Sequence, residues 1–239
     1  MRVDIHNSEI PTICRACEAR HRGICGALSP EQLVELNRST RRELIPSGSS
    51  IAADDQETTR YANILHGVVK LSKLMGDGRQ QIVGLQFAPD FLGRPFRETS
   101  NVGVEAATEI QVCSFPKKAI EEMIRKSPEL EHRLYEQTLR ELDEAREWML
   151  TLGRKTAPEK VASFIHMIAM HSQPEREETD NIAIELPLKR AEIADFLGLT
   201  IETVSRQITK LRKAGIIDVL DGRMIRVPSM ARLYSACGR

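Results

Sequence analysis

Five cysteines carry the most distinctive chemistry in this chain. Cys14, Cys17 and Cys25 sit on a short N-terminal arm with the spacing C-x2-C-x7-C, and Cys113 and Cys237 stand alone far downstream. Thiolates are soft ligands, and three on one arm plus a distant fourth can make a tetrathiolate site for Zn²⁺ or for an iron–sulfur cluster. Spacing alone does not choose between them. C-x2-C serves both, and the seven-residue gap is looser than the paired C-x2-C of most zinc ribbons. Cys113 falls at an expected strand end, where a lone cysteine is more often a small buried hydrophobe. Cys237, beside Gly238, reads as a free thiol in a terminal tail, and His21, between Arg20 and Arg22, reads as facing solvent. A reducing compartment keeps such thiols reduced, so no disulfide framework is expected.

A second constellation suits nucleic acid. Residues 190–197 place Ile193, Ala194 and Leu197 on one helical face, Gly198 and Leu199 supply a tight turn, and Thr200 caps a second helix. That helix has an inward stripe of Ile201, Val204, Ile208 and Leu211, and an opposite face of Glu202, Ser205, Arg206 and Thr209. In a helix-turn-helix this polar face meets base edges in the major groove. There Arg206 can pair with guanine through two hydrogen bonds and Glu202 can accept from cytosine. Lys210, Arg212 and Lys213 suit phosphates, and Thr200 joins the DNA-contacting set. The alternative is an ordinary two-helix corner with a solvated polar face. Against it stand the small Ala194, the turn glycine, and strands expected over 216–220 and 224–227 around Asp221-Gly222, which together fit a winged helix-turn-helix. Residues 183–239 hold ten Lys and Arg against six Asp and Glu in a chain balanced at 34 and 34, a modest basic surplus that coincides with the motif.

Other elements must position these groups. Ser29-Pro30-Glu31-Gln32 reads as an N-cap, a first-turn proline and a capping-box glutamine. From about residue 42 the period shortens: strands are expected at 61–65, 68–74, 81–87 and 110–115, separated by His66-Gly67, Gly76-Asp77-Gly78, Pro89-Asp90 and Leu92-Gly93. Val83, Leu85 and Phe87 alternate as on an inner strand face, and the whole argues for a jelly-roll β-sandwich over 42–115. Ser127-Pro128-Glu129 opens a long helix ending near Gly153, with Leu130, Leu134, Thr138, Leu142, Ala145, Met149 and Leu152 three or four residues apart. Such a stripe can pack on its own sandwich. Its length and its charged flanks (Arg140, Glu141, Asp143, Glu144, Arg146, Glu147) favour a partner helix, with the dimer interface at Leu134, Thr138, Leu142, Ala145, Met149 and Leu152. An amphipathic helix over 155–170 and a solvated acidic loop over 173–180 follow. The expected organisation is an α+β chain: a cysteine arm (1–28), a jelly-roll sensor (29–126), a dimerisation helix (127–153) and a winged helix-turn-helix (154–239).

The chain's 239 residues, 41% hydrophobic and 28% charged, fit an ordinary globular protein. No apolar run approaches the ~18 residues of a membrane span, and MRVDIHNSEI has no signal-peptide core, so a cytoplasmic location without membrane contact is expected. An enzyme is not expected. There is no nucleophile–His–Asp set, phosphate-cradling glycine loop or HExxH, and His6, His21, His66, His132, His166 and His171 lack metal spacing.

Taken together, the chain resembles the Crp/Fnr superfamily of transcription regulators, and within it the oxygen-responsive Fnr branch. The resemblance spans nearly the whole length. It rests on Cys14-x2-Cys17-x7-Cys25, on Val112-Cys113-Ser114-Phe115-Pro116, and on the run from Leu197-Gly198-Leu199-Thr200 through Glu202-Thr203-Val204-Ser205-Arg206. It implies that Cys14, Cys17, Cys25 and Cys113 hold an oxygen-labile four-iron four-sulfur cluster, the alternatives being a structural zinc, or no group with control by thiol oxidation or another effector. It further implies that Glu202, Ser205 and Arg206 read half-sites of the type TTGAT-N4-ATCAA, and that the partners are double-stranded DNA, a second copy and RNA polymerase. Cyclic-nucleotide sensing is not expected: Phe91-Leu92-Gly93 continues as Arg94-Pro95-Phe96 where nucleotide-binding members carry Gly-Glu-Leu, and Arg97-Glu98-Thr99-Ser100 only loosely echoes their Arg-Ser or Arg-Thr pair. Ala145 stands where branch members can carry an acidic residue on the seam.

Overall fold

The computed structural model describes residues 10–172 and 180–238. His6, the start of the arm and the acidic loop at 173–179 lie outside the described residues. The chain divides into two units, Met1–Arg79 with Val83–Asp143, and Gln80–Ile82 with Glu144–Arg239.

In the first unit the arm forms two single-turn helices, α1 (Thr12–Arg15) and α2 (Glu18–His21), and a 3-10 turn (Ile24–Ala27). Helix α3 (Pro30–Asn37) begins at the expected capping box: the Ser29 hydroxyl accepts from Gln32 N, and Gln32 Oε1 accepts from Ser29 N at 2.8 Å. Eight strands follow, β1 (Arg41–Ile45), β2 (Ser50–Ala52), β3 (Arg60–His66), β4 (Val68–Leu74), β5 (Gln80–Phe87), β6 (Phe91–Leu92), β7 (Gly103–Ala106) and β8 (Ile110–Pro116). They form two sheets of order β1-β8-β3-β6 and β2-β7-β4-β5, the expected β-sandwich. Helices α4 (Lys117–Lys126) and α5 (Pro128–Arg154) complete the run, and α5 continues into the second unit.

Strands β3, β6 and β8 of the first sheet are covered on both faces. Ala62, Ile64, Ile110 and Val112 point inward to Val69, Val104 and Ala106 of the second sheet. Tyr61, Phe91 and Phe115 point the other way and pack with Ile10, Ile24 and Leu28 of the arm, Leu33 and Leu36 of α3, Ile120, Met123 and Ile124 of α4, and Leu130 of α5. The arm is therefore part of a core, and burying such side chains stabilises it by about 1.5–3 kcal/mol each.

Two strand expectations need correction. Val83 is 46% exposed while Ile82 is buried, so the alternation of β5 does not begin at Val83, although Leu85 and Phe87 are buried as expected. Strands β1, β2, β6 and β7 escaped notice. β1 is an exposed strand at the sheet edge with the sequence RRELI, so it carries no apolar alternation to detect.

The second unit contains α6 (Ala157–Ser172), β9 (Ile182–Glu185), α7 (Arg190–Leu197), α8 (Ile201–Lys213), β10 (Asp218–Val219), β11 (Met224–Val227) and α9 (Met230–Ala236). The three strands form one sheet, β10-β11-β9, so the expected two-stranded wing gains a third strand from before the helix pair. The core holds Phe164, Ile165, Ile193, Leu197, Val204, Ile217, Ile225 and Leu233, each fully buried. Phe196 packs against Trp148 and, edge to face, against Phe164, with ring centroids 4.6 and 5.8 Å away.

Candidate cysteine site and nucleic-acid interface

The cysteine site grows from strand register. Arg42 of β1 pairs with Cys113 of β8, Cys113 with Asn63 of β3, and Asn63 with Phe91 of β6. Directly paired residues project from the same face of a sheet. Arg42, Cys113, Asn63 and Phe91 thus form one row on the face that meets the arm. Cys14 lies in α1. Cys17 opens α2, its carbonyl accepting from Arg20 N at 3.0 Å and His21 N at 3.3 Å, and Cys25 lies in the 3-10 turn. Gly23 lets this turn approach closely, since a Cβ there would come within 2.8 Å of Pro89 O. Cys14 and Cys25 pack against the arm-side core. Asn63 Nδ2 donates to Cys25 Sγ at 3.1 Å, and the Arg42 guanidinium donates to Ile13 O.

Burial and neighbouring thiols raise three of the thiols. Burial pushes Cys25 far above the ordinary thiol range, Cys113, Cys17 and Cys14 push it further, and the Asn63 hydrogen bond opposes them. Burial first and then Cys17 lift Cys113 to about 11, with Arg42 pulling down and Cys14 pushing up. Cys14 is raised by burial and by Cys17, against Arg42 and Arg20. Cys14, Cys17, Cys25 and Cys113 therefore share one electrostatic neighbourhood. Among the described residues, no three His, Cys, Asp or Glu side chains close on a point that a single metal ion could occupy.

His21 does not simply face solvent: its Nε2 lies 3.1 Å from Arg15 O and helps order the arm. Cys237 forms no disulfide and does not sit in an open tail. It is buried at the end of α9 with Sγ donating to Leu233 O at 3.2 Å.

The helix pair is the clearest match to expectation. Gly198 ends α7 in the left-handed region at φ 61°, which lets the chain reverse, and Thr200 Oγ1 accepts from Thr203 N to cap α8. Val204, Ile208 and Leu211 are buried, but Ile201 is 47% exposed in the first turn and does not belong to the inward stripe. Glu202, Ser205, Arg206, Thr209 and Lys210 are all exposed. Thr200 is exposed too, with its hydroxyl engaged as the cap. Arg190, at the start of α7, reaches Gly222 O at 3.1 Å and holds the wing turn against the helix pair. Arg223 with Glu185 and Arg226 with Asp218 tie the wing strands together.

The long-helix stripe divides. Leu130 is fully buried in its own unit and Leu134 packs against the same core. Thr138, Leu142, Ala145, Met149 and Leu152 are exposed. So are Tyr135, Leu139 and Leu150, which makes the apolar face of α5 broader than the sequence stripe.

Sequence reasoning missed Arg42, Asn63 and Arg190. Arg42 and Asn63 acquire meaning only through pairing with a cysteine about fifty or more residues away, and nothing local marks them.

Comparison with known proteins agrees with this architecture. Residues 42–127 match the cyclic nucleotide-binding domain and residues 159–236 the Crp-like helix-turn-helix domain. A probable transcriptional activator of Rhizobium leguminosarum bv. viciae is 55% identical over 97% of this chain and 98% of its own length. The transcriptional activator protein FnrL of Cereibacter sphaeroides is 41% identical over 96% of this chain and 95% of its own. FixK2 from Bradyrhizobium japonicum superposes with a TM-score of 0.74 at 28% identity, covering 82% of this chain and 96% of that one. Among the described residues no helix is long and apolar enough to cross a membrane. With a β-sandwich, a long helix and a winged helix-turn-helix in this order, the chain belongs to the Crp/Fnr family of DNA-binding transcription regulators.

Proposed function

We propose that this protein is a homodimeric transcription activator that reads a palindrome of the TTGAT-N4-ATCAA type and responds to oxygen through a four-iron four-sulfur cluster held by Cys14, Cys17, Cys25 and Cys113. The observation supporting the sensing half is that Cys25 sits on Asn63, the register neighbour of Cys113, with Cys14 and Cys17 close enough to act on Cys113 electrostatically. Burial and neighbouring thiols raise Cys14, Cys25 and Cys113, so this cluster is a poor home for free thiolates and a good one for a cationic group. Arg42 and Arg20 add positive charge on the same side. A single zinc ion draws four sulfurs to one centre about 2.3 Å away. An iron–sulfur cluster would take the same four thiolates, one on each iron. When bound, such a cluster supplies an oxygen-labile electron reservoir.

The residues of the chain convert its state into a mechanical signal. Asn63 ties Cys25 of the arm to the sheet beside Cys113, Arg133 of α5 donates to Arg22 O of the arm at 2.9 Å, and Leu130 and Leu134 of α5 share the arm's core. A change at the arm thereby reaches the helix whose outer face would meet the second copy. A shared, packed element biased by both sites is what such coupling requires. Two copies of α8 then address two half-sites, and bound DNA would be presented to RNA polymerase.

Anaerobic purification tests the reading. The expected product is brown, with iron and acid-labile sulfide in equal amounts, and shifts the palindrome in a gel until air is admitted. A colourless protein without iron or sulfide overturns it. A second reading, oxidation of the same thiols with no resident group, draws on the shared electrostatic neighbourhood of Cys14, Cys17, Cys25 and Cys113. It predicts DNA binding that responds to peroxide and is restored by a thiol reductant alone. Metal analysis under argon also separates zinc, which would persist in air.

A further inference from the structure

Asn63 occupies the middle of β3 with no exposed surface, between Cys113 on one side and Phe91 on the other. Only half of its amide is satisfied. Nδ2 donates to Cys25 Sγ at 3.1 Å, while Oδ1 meets no hydrogen-bond partner among the described residues. An unpaired buried carbonyl forfeits its hydration without return, and a leucine of similar size in the same strand would avoid that cost. The polar side chain is thus retained against its own desolvation, and its single engaged atom is a donor aimed at a sulfur.

We infer that Asn63 is a positioning residue for Cys25: its amide N–H fixes the Cys25 sulfur on the sheet face and withdraws charge from it. The redox part of this role rests on the iron–sulfur reading above. Hydrogen bonds to ligand sulfurs are among the protein's levers on cluster potential, because they stabilise the more electron-rich state. Removing the donor leaves the sulfur more electron-rich, moves the midpoint potential to more negative values and loosens the ligand.

Two measurements on the full chain decide it. In the metal-free, reduced protein, a double-mutant cycle of Asn63→Leu and Cys25→Ala reads the contact itself. The two effects on the unfolding equilibrium are expected to be non-additive by about fivefold, the size of one hydrogen bond. Additivity overturns the contact and the inference with it. In anaerobically reconstituted protein, Asn63→Leu is expected to shift the midpoint potential negative and to speed iron loss to a chelator about tenfold. An iron-loaded variant with wild-type potential and chelation rate overturns the tuning role. If wild-type protein takes up neither iron nor sulfide, the iron–sulfur reading and the tuning role fall together, while the cycle still decides whether Asn63 holds Cys25. Asn63→Ala serves the same cycle and potential measurements if the leucine variant does not fold.

Discussion

Arg206 leaves the outward face of α8 with Glu202 and Ser205, its guanidinium donating to Thr203 Oγ1 at 3.4 Å one turn earlier. A bidentate arginine–guanine contact discriminates against a wrong base by about 1–3 kcal/mol, so Arg206→Ala is expected to weaken specific binding by that amount and to relax preference at one base pair. Lys210→Ala, acting on phosphate, is expected to weaken all sequences alike and to lower the salt slope by about one. A gel-shift series over single-base variants checks both, and uniform weakening by Arg206→Ala would remove it from base reading. At the other site, Cys113 carries a pH signature in metal-free protein. Its folded value of about 11 lies above the ordinary 9.0, so the folded chain keeps the proton more tightly. The stability this provides is complete below pH 9 and is lost as pH rises through 11. Thermal melts with chelator and reductant should show wild type falling relative to Cys113→Ser between pH 9 and pH 11. A constant difference across that window refutes the burial argument.

At the scale of elements, α5 stands out because one helix carries two kinds of apolar side chain. Leu130 and Leu134 belong to the core of their own unit, whereas Tyr135, Leu139, Leu142, Met149 and Leu150 are exposed at 41–72%. A run of large exposed apolar groups on one helix marks an interaction surface. Leu142→Glu places a charge in that surface and removes nothing from the core of the protomer. It is expected to shift the protein to monomer in analytical ultracentrifugation, to cost at least about tenfold in affinity for the full palindrome, and to leave the circular dichroism spectrum unchanged. A variant that remains dimeric would assign the interface elsewhere. The helix pair α7–α8 shows the opposite economy: a glycine at φ 61° and one threonine cap define the turn, and both are local features.

For the molecule as a whole, legibility followed the range of the interaction. The α3 capping box, the bounds of α7 and α8, the turn at Gly198 and the start of α5 at Pro128 were all readable from neighbouring residues, because caps, turns and the 3.6-residue period act within a few positions. The exposed edge strand β1 and the short strands β2, β6 and β7 were not readable, since they carry no apolar alternation long enough to register. The division of the long-helix stripe between core and surface was also hidden, because both sets of residues have the same spacing and differ only in what packs against them. By itself, the sequence determined that the chain has a helix-turn-helix with Glu202, Ser205 and Arg206 facing outward, and that its thiols are of the right type and number for a soft-ligand site. Only the tertiary structure decided which thiols meet and what surrounds them: the β1-β8-β3-β6 register sets Arg42, Cys113 and Asn63 side by side and brings Cys25 of the arm onto Asn63. Strand register between distant segments is fixed by the packing of a whole sheet face, and no local pattern encodes it.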